Sequence, residues 1–131
     1  IFGFHFYGLA SGFSTLAQMN TIFTALAAQS TAHGMVFAIT EFGPGLNYGP
    51  SPTLVTPGQV ITAAESNGLG WTAWAWDDNT LPGCHGAAGT FDMTYNCGVY
   101  VVTADLTPYG QDVVLNGTYG LKAIAHRASI Y

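Results

Sequence analysis

Apolar positions in this chain follow two periods, and the segments alternate. Ile1 to Gly8 (IFGFHFYG) alternates apolar with polar-capable residues, the period of a strand, and places His5 and Tyr7 on one face. Leu16, Met19, Phe23 and Leu26 then recur at helical spacing in a segment beginning near Ser14, and Gly34 stands where a C-terminal cap is expected. Val36 to Glu41 is a short apolar run ending in one carboxylate, stopped by Gly43 and Pro44, as a buried parallel strand reads. Thr56-Pro57-Gly58-Gln59 is a helix start: threonine as N-cap, proline in the first turn, glutamine placed to close a capping box. That helix runs to about Asn67 and ends at Gly68. Leu69 to Trp76 (LGWTAWAW) is a third strand with Thr72, Trp74 and Trp76 on one face and Trp71 on the other, the core side. After a long irregular stretch from Asp77 to about Asp105, Thr107-Pro108 opens a last helix towards Leu115, broken by Asn116-Gly117. Leu121 to Tyr131 is a further helical turn or an extended packing segment.

The order is strand, helix, strand, helix, strand, helix, with strands starting near 1, 36 and 69. This is close to the roughly 30-residue βαβ unit and predicts a parallel α/β sheet with right-handed crossovers. A complete (β/α)8 barrel takes about 250 residues. The 131 residues here amount to three of its eight units, unless they form a small open sheet with many aromatics exposed.

Composition sharpens this. Only 7% of residues are charged, against about 25% in ordinary soluble domains, and 49% are hydrophobic. The net charge of −5 rests on seven acids and two bases, Lys122 and Arg127, which argues against a nucleic-acid partner or an anionic membrane surface. No apolar run reaches the roughly 20 residues of a membrane span. The chain opens on IFGFHFYG without a basic leader or a methionine, as expected of a mature protein or an excised piece.

Cys84 and Cys97 flank a glycine-rich, polar segment. A disulfide there would suit an exported protein and contribute about 3 kcal/mol; two free thiols in a reducing cell are the alternative. A zinc site from these cysteines and His85 lacks the CxxC or HxxxH spacing of known centres. Asn116-Gly117-Thr118 matches a glycosylation sequon, a pattern frequent by chance.

The working residues of parallel α/β folds sit at the carboxyl ends of strands. Those ends offer His5 and Tyr7, then Glu41, then Trp74 and Trp76 with Asp77, Asp78 and Asn79 beyond. The set suits a sugar. An indole face stacks on the C–H face of a pyranose, His and Tyr bond hydroxyls or orient a carboxylate, and a carboxylate is the nucleophile of a retaining glycosidase. Each residue also has a plainer reading: a hydrogen-bonded core histidine, packed aromatics, aspartates that turn the chain.

HFY on the first strand, ITEFG on the second and GWTAWAW on the third resemble the last three strands of family 5 glycoside hydrolases of clan A, the cellulase and β-mannanase group. The ending LTPYGQDVVLNGTYGLKAIAHRASIY resembles that family's final helix and tail, so the likeness covers nearly the whole chain. It implies the C-terminal three βα units of a (β/α)8 TIM barrel, with parallel strands near 1–7, 36–41 and 69–76, forming a single partial domain over residues 1–131. By position, Glu41 matches the catalytic nucleophile, and His5 and Tyr7 match an H-x-Y pair in which Tyr7 hydrogen-bonds that nucleophile. Trp74 matches the platform under the sugar at the cleavage point, with Trp76 a further substrate contact. The resemblance implies a secreted, cofactor-free, metal-free enzyme acting with retention on a β-1,4-linked glucan or mannan.

One element of the family pattern is missing. The acid/base carboxylate belongs to an Asn-Glu-Pro motif, and no such tripeptide occurs here. Glu65 lies near the end of a predicted helix, away from the strand ends. The chain is therefore expected to carry half of the carboxylate pair and to need the remaining barrel segments. The competing expectations are a non-catalytic carbohydrate-binding fragment using Trp74, Trp76 and Tyr48, and a self-associating fragment whose copies cover one another's sheet edges.

Overall fold

The computed structural model describes residues 1–7, 15–43, 55–76, 92–95 and 100–125. Cys84, Cys97, His85, Tyr48, Asp77, Asp78, Asn79 and Arg127 lie outside the described residues, and with them the expected disulfide and the loop aspartates. Strands β1 (Phe2–Phe6), β2 (Phe37–Phe42) and β3 (Gly70–Trp71) form a parallel sheet in the order β1-β2-β3. Between them run helices α1 (Leu16–His33) and α2 (Pro57–Ser66), followed by α3 (Pro108–Leu115) and a short α4 (Leu121–Ile124).

The helix limits follow from cap chemistry. Thr15 and Thr56 each accept a backbone N–H three residues on, from Gln18 and Gln59, whose side chains return the bond to the cap N–H. Thr107 caps α3 by accepting from Gly110 N. Gly34 ends α1 in the left-handed conformation, and Asn67 followed by Gly68 ends α2. Asn116 breaks α3 with its own side chain: its Oδ1 accepts from Thr118 N at 3.0 Å, and its Nδ2 donates to Asp112 at 3.3 Å.

Helices pack on one face of the sheet. Phe6, Ile39 and Phe42 meet Met19 and Phe23 of α1, Val60 and Ile61 of α2, and Val113 of α3, all buried. Burying each such side chain is worth about 1.5–3 kcal/mol. Leu16, expected in the α1 stripe, is instead exposed at the first turn. The sheet receives only the face of α1 that carries Met19 and Phe23.

Two departures from the expected strands share one cause. Phe4 pairs with Ile39 and Phe6 with Phe42, so β2 spends three residues where β1 spends two; Thr40 is the extra one. The same count recurs on the other side. Thr72 N donates to Ile39 O at 2.8 Å and Trp74 N to Phe42 O at 2.7 Å, again two residues against three. The regular β3 ladder therefore stops at Trp71, although the sequence predicts a strand to Trp76. Residues 72–76 follow β2 by single bonds, and the Trp74–Ala75 peptide is cis. Strict alternation would put Glu41 on the same face as Ile39, against the helices. The bulge puts Phe42 there and turns Glu41 to the opposite face. Gly3 makes the room: a Cβ on it would lie 2.8 Å from the Thr40 side chain.

Of the long Asp77–Asp105 stretch, residues 92–95 are pinned between two elements. Met93 N donates to Ala75 O at 2.9 Å, and Met93 O accepts from Thr107 N at 3.0 Å. Thr94 bridges antiparallel to Leu106. A 3-10 turn at Thr103–Asp105 is closed by Asp105, whose Oδ2 accepts from Val101 N and Val102 N at 2.8 Å each.

Candidate active site

The bulge sets Glu41 directly opposite His5 across the β1–β2 ladder. Tyr7, two residues further on, reaches the same carboxylate. Its hydroxyl donates to Glu41 Oε2 at 2.8 Å, and His5 Nδ1 lies 3.2 Å from that same oxygen. The contact requires the proton on Nδ1 of the imidazole. Oε1 takes no hydrogen bond from the described residues, so the carboxylate is held by one oxygen and presents the other. The Glu41 side chain is 24% exposed and His5 is 59% exposed. The group is thus reachable from the face away from the helices.

Two exposed indoles follow the third strand, the first tied to β2 by its backbone, where Trp74 N donates to Phe42 O, the residue after Glu41. Trp74 is 44% and Trp76 40% exposed, on either side of the buried Ala75. Exposed indole surface of this kind suits a ligand with an apolar face and polar rim. Trp71 turns the other way, as its place in the sequence predicts. It packs edge-on against Phe42 at 5.8 Å and donates its indole N–H to Glu65 Oε1 at 2.7 Å. Glu65 is thereby committed at the end of α2. A separate cleft of about 500 Å³ between α1 and α2 is lined by uncharged side chains such as Asn20, Thr62 and Tyr119, and offers no carboxylate for acid chemistry.

One buried residue ties the site together, and nothing in the sequence pattern points to it. Tyr109 of α3 donates its hydroxyl to Phe42 O at 3.0 Å, the carbonyl that also accepts Trp74 N. A single carbonyl next to Glu41 therefore fixes the end of β2, the backbone of Trp74 and the first turn of α3. Contact order hides such a link, since 67 residues separate Tyr109 from Phe42.

Burial, with Tyr7 and Asp112 nearby, pushes the Tyr109 phenol well above its ordinary range. The hydrogen bond to Asp112, with lesser burial, pushes Tyr119 up to about 12. Both groups stay protonated in the folded chain at pH values where the unfolded chain ionises. The folded state then binds more protons, so stability is full below the unfolded value and falls as pH rises past it. Thermal midpoints should fall between about pH 9 and pH 11, and fall less in Tyr109→Phe, which also costs about 1 kcal/mol at neutral pH. An equal alkaline loss in parent and variant would contradict the protonated, buried phenol.

Parallel βα units with a carboxylate and its hydrogen-bond donors at the strand ends have the arrangement of a portion of a (β/α)8 barrel, and the structural likenesses below decide for it over a small open sheet. A family model, cellulase (glycosyl hydrolase family 5), matches residues 1–80, and the chain belongs to that family. Among solved structures, the β-mannanase of Streptomyces thermolilacinus is 26% identical with a TM-score of 0.68, over 99% of this chain and 36% of that one. Its mannohexaose complex gives 26% and 0.67, over 98% and 35%. The mannotriose complex of Thermomonospora fusca β-mannanase shares the fold at 23% identity and a TM-score of 0.64, over 98% and 35%. The chain thus spans about a third of the length of these structures. No curated protein matches it.

Proposed function

We propose that this chain carries the nucleophile half of a retaining endo-β-1,4-glycanase, with Glu41 as nucleophile. The observation that carries the reading is the shared oxygen: Tyr7 and His5 both bond Oε2 of Glu41, leaving Oε1 for attack. Oε1 would bond to the anomeric carbon as the glycosidic C–O bond breaks and a second carboxylate gives its proton to the leaving oxygen. Water, deprotonated by that second group, then cleaves the glycosyl–Glu41 ester. Tyr7 and His5 fix the rotation of the carboxylate, and Trp74 supports the sugar from below. The acid/base comes from barrel segments other than those of this chain, which act with it as one catalytic domain.

Mannan is the favoured polymer, because a solved structure similar to this chain at 26% identity is a β-mannanase, also seen with mannohexaose. A polysaccharide cannot enter a cell, so the enzyme acts outside it, where a Cys84–Cys97 bridge is chemically at home. The exposed Trp74 and Trp76 favour a second reading, sugar binding without turnover. Tryptophan fluorescence titrated with manno- and cello-oligosaccharides, on this chain and on the completed barrel, addresses both: saturable change with mannohexaose is expected, and none in either protein with either series would refute them together.

A further inference from the structure

Resting on the assignment of Glu41 as nucleophile, we propose that Tyr109 is a positioning residue for the reaction: its hydroxyl, bound to the Phe42 carbonyl, locks β2 in the bulged register that turns Glu41 to Tyr7 and His5. That register is one of two. An unbroken ladder from Phe4 and Ile39 would pair His5 with Thr40 and Phe6 with Glu41. It would set the carboxylate on the helix-covered face, where Phe6 packs edge-on against Phe23 at 5.7 Å. Burying the charge there is costly. The bulge avoids this, but it leaves the nucleophile on the last residue but one of its strand, where a ladder ordinarily frays.

Two donors hold that strand end, and they differ in what stands behind them. Trp74 N at 2.7 Å and the Tyr109 hydroxyl at 3.0 Å both bond Phe42 O, enough to occupy both lone pairs of the carbonyl. Trp74 belongs to residues 72–76, which follow β2 by single bonds only. Tyr109 stands in the first turn of α3, between the Thr107 cap and Gly110, which packs directly on the Met93 backbone. Of the two, it is the donor fixed in a regular element. Tyr109 is 7% exposed and is the only buried tyrosine among the described residues, in a core otherwise built of Phe, Met, Leu, Ile, Val and Ala. A phenylalanine would fill the same space with no polar atom to satisfy, so the hydroxyl answers to the carbonyl rather than to packing.

Burial above all, with Tyr7 and Asp112 nearby, keeps the Tyr109 phenol protonated, so it is a standing donor. Two phenols thus hold consecutive residues: Tyr7 bonds the carboxylate of Glu41, and Tyr109, from the helix side, the carbonyl of Phe42. Without the Tyr109 hydroxyl, Phe42 O keeps only Trp74 N, and the end of β2 drifts together with residues 72–76. A misplacement of about 1 Å can cost on the order of 100-fold in rate. The Phe42 ring stays buried, and Tyr7 and His5 still reach Glu41, so the loss expected here is smaller.

The test uses a barrel completed with the β-mannanase segments that this chain does not span, assayed on mannan well below the thermal midpoint of every variant. Lost stability alone then leaves kcat unchanged. Tyr109→Phe should lower kcat roughly 10-fold and leave KM within about two-fold. Tyr119→Phe, which removes a hydroxyl bonded to Asp112 instead of to β2, should leave kcat within about two-fold. In a Tyr7→Phe background the carboxylate has already lost a donor, and adding Tyr109→Phe should cost less than about three-fold more, since both act on one orientation. An unchanged kcat in Tyr109→Phe, an equal loss in Tyr119→Phe, or full multiplication of the Tyr7 and Tyr109 losses overturns the positioning role. A folded parent barrel without turnover overturns the glycanase reading itself. Should Tyr109→Phe fail to fold by circular dichroism, amide exchange in the parent barrel decides. Trp74 N–H, which shares its acceptor with Tyr109, should be protected to within about 10-fold of Val113 N–H in α3, and exchange far faster than that overturns the lock.

Discussion

Glu41→Gln, in a barrel completed with the part of the Streptomyces thermolilacinus β-mannanase that this chain does not span, is expected to lower turnover roughly 10,000-fold or more. Mannohexaose affinity should stay within a few-fold. Glutamine keeps the size of the side chain and an oxygen for Tyr7 and His5, which bond a single oxygen of the native carboxylate. It removes the anionic oxygen that would form the glycosyl ester. A binding residue would show the reverse pattern, a raised KM with kcat intact. Steady-state rates on mannan, with calorimetric binding of mannohexaose, separate the two.

Gly110→Ala is expected to cause the largest loss of stability, about 3 kcal/mol or more. A Cβ on Gly110 would lie 1.9 Å from Met93 O and 2.8 Å from its carbonyl carbon, both backbone atoms. Neither can swing aside as a side chain would. Either α3 must lift, or residues 92–95 must leave their bonds to Ala75 and Thr107. The second route also frees the backbone beside Trp76, so oligosaccharide binding should weaken along with the urea midpoint. Gly117→Ala serves as the control, because a Cβ there meets nothing within 4 Å. A Gly110→Ala loss no larger than the control's would contradict the close packing of α3 on Met93.

Much of the fold is legible in the sequence because its signals are local. A threonine N-cap three residues before a glutamine, or just before a proline, sets a helix start without reference to the rest of the chain, and the α1, α2 and α3 starts follow that rule. Parallel order follows equally from the spacing of strands and helices. What eludes the pattern is register. Period-two reasoning keeps Ile39 and Glu41 on one face, and only pairing with two neighbours reveals that Thr40 is an extra residue. A faint trace of the bulge exists in retrospect: an apolar Phe42 follows Glu41, and β1 offers a glycine where Thr40 needs space.

The candidate site divides in the same way. His5, Tyr7 and Glu41 can be named from strand ends and resemblance, and the structure brings the three together on one oxygen. Trp74 and Trp76 stand exposed. Tyr109 leaves no sequence signal, since it joins segments distant in the chain through a carbonyl. Such a residue determines where a side chain points rather than which chemistry it offers.

The central claim is that Glu41 forms a covalent bond to the sugar. An aryl 2-deoxy-2-fluoro-β-mannoside with a good leaving group needs no acid catalyst to react, and its fluorine slows hydrolysis of the ester formed. Incubating it with the completed barrel, then digesting and sequencing by mass spectrometry, reads the labelled residue directly. The account predicts one fluoroglycosyl unit on the peptide containing Val36–Gly43, located at Glu41. Label on a different carboxylate, or release of the aryl group with no label on Glu41, would contradict it.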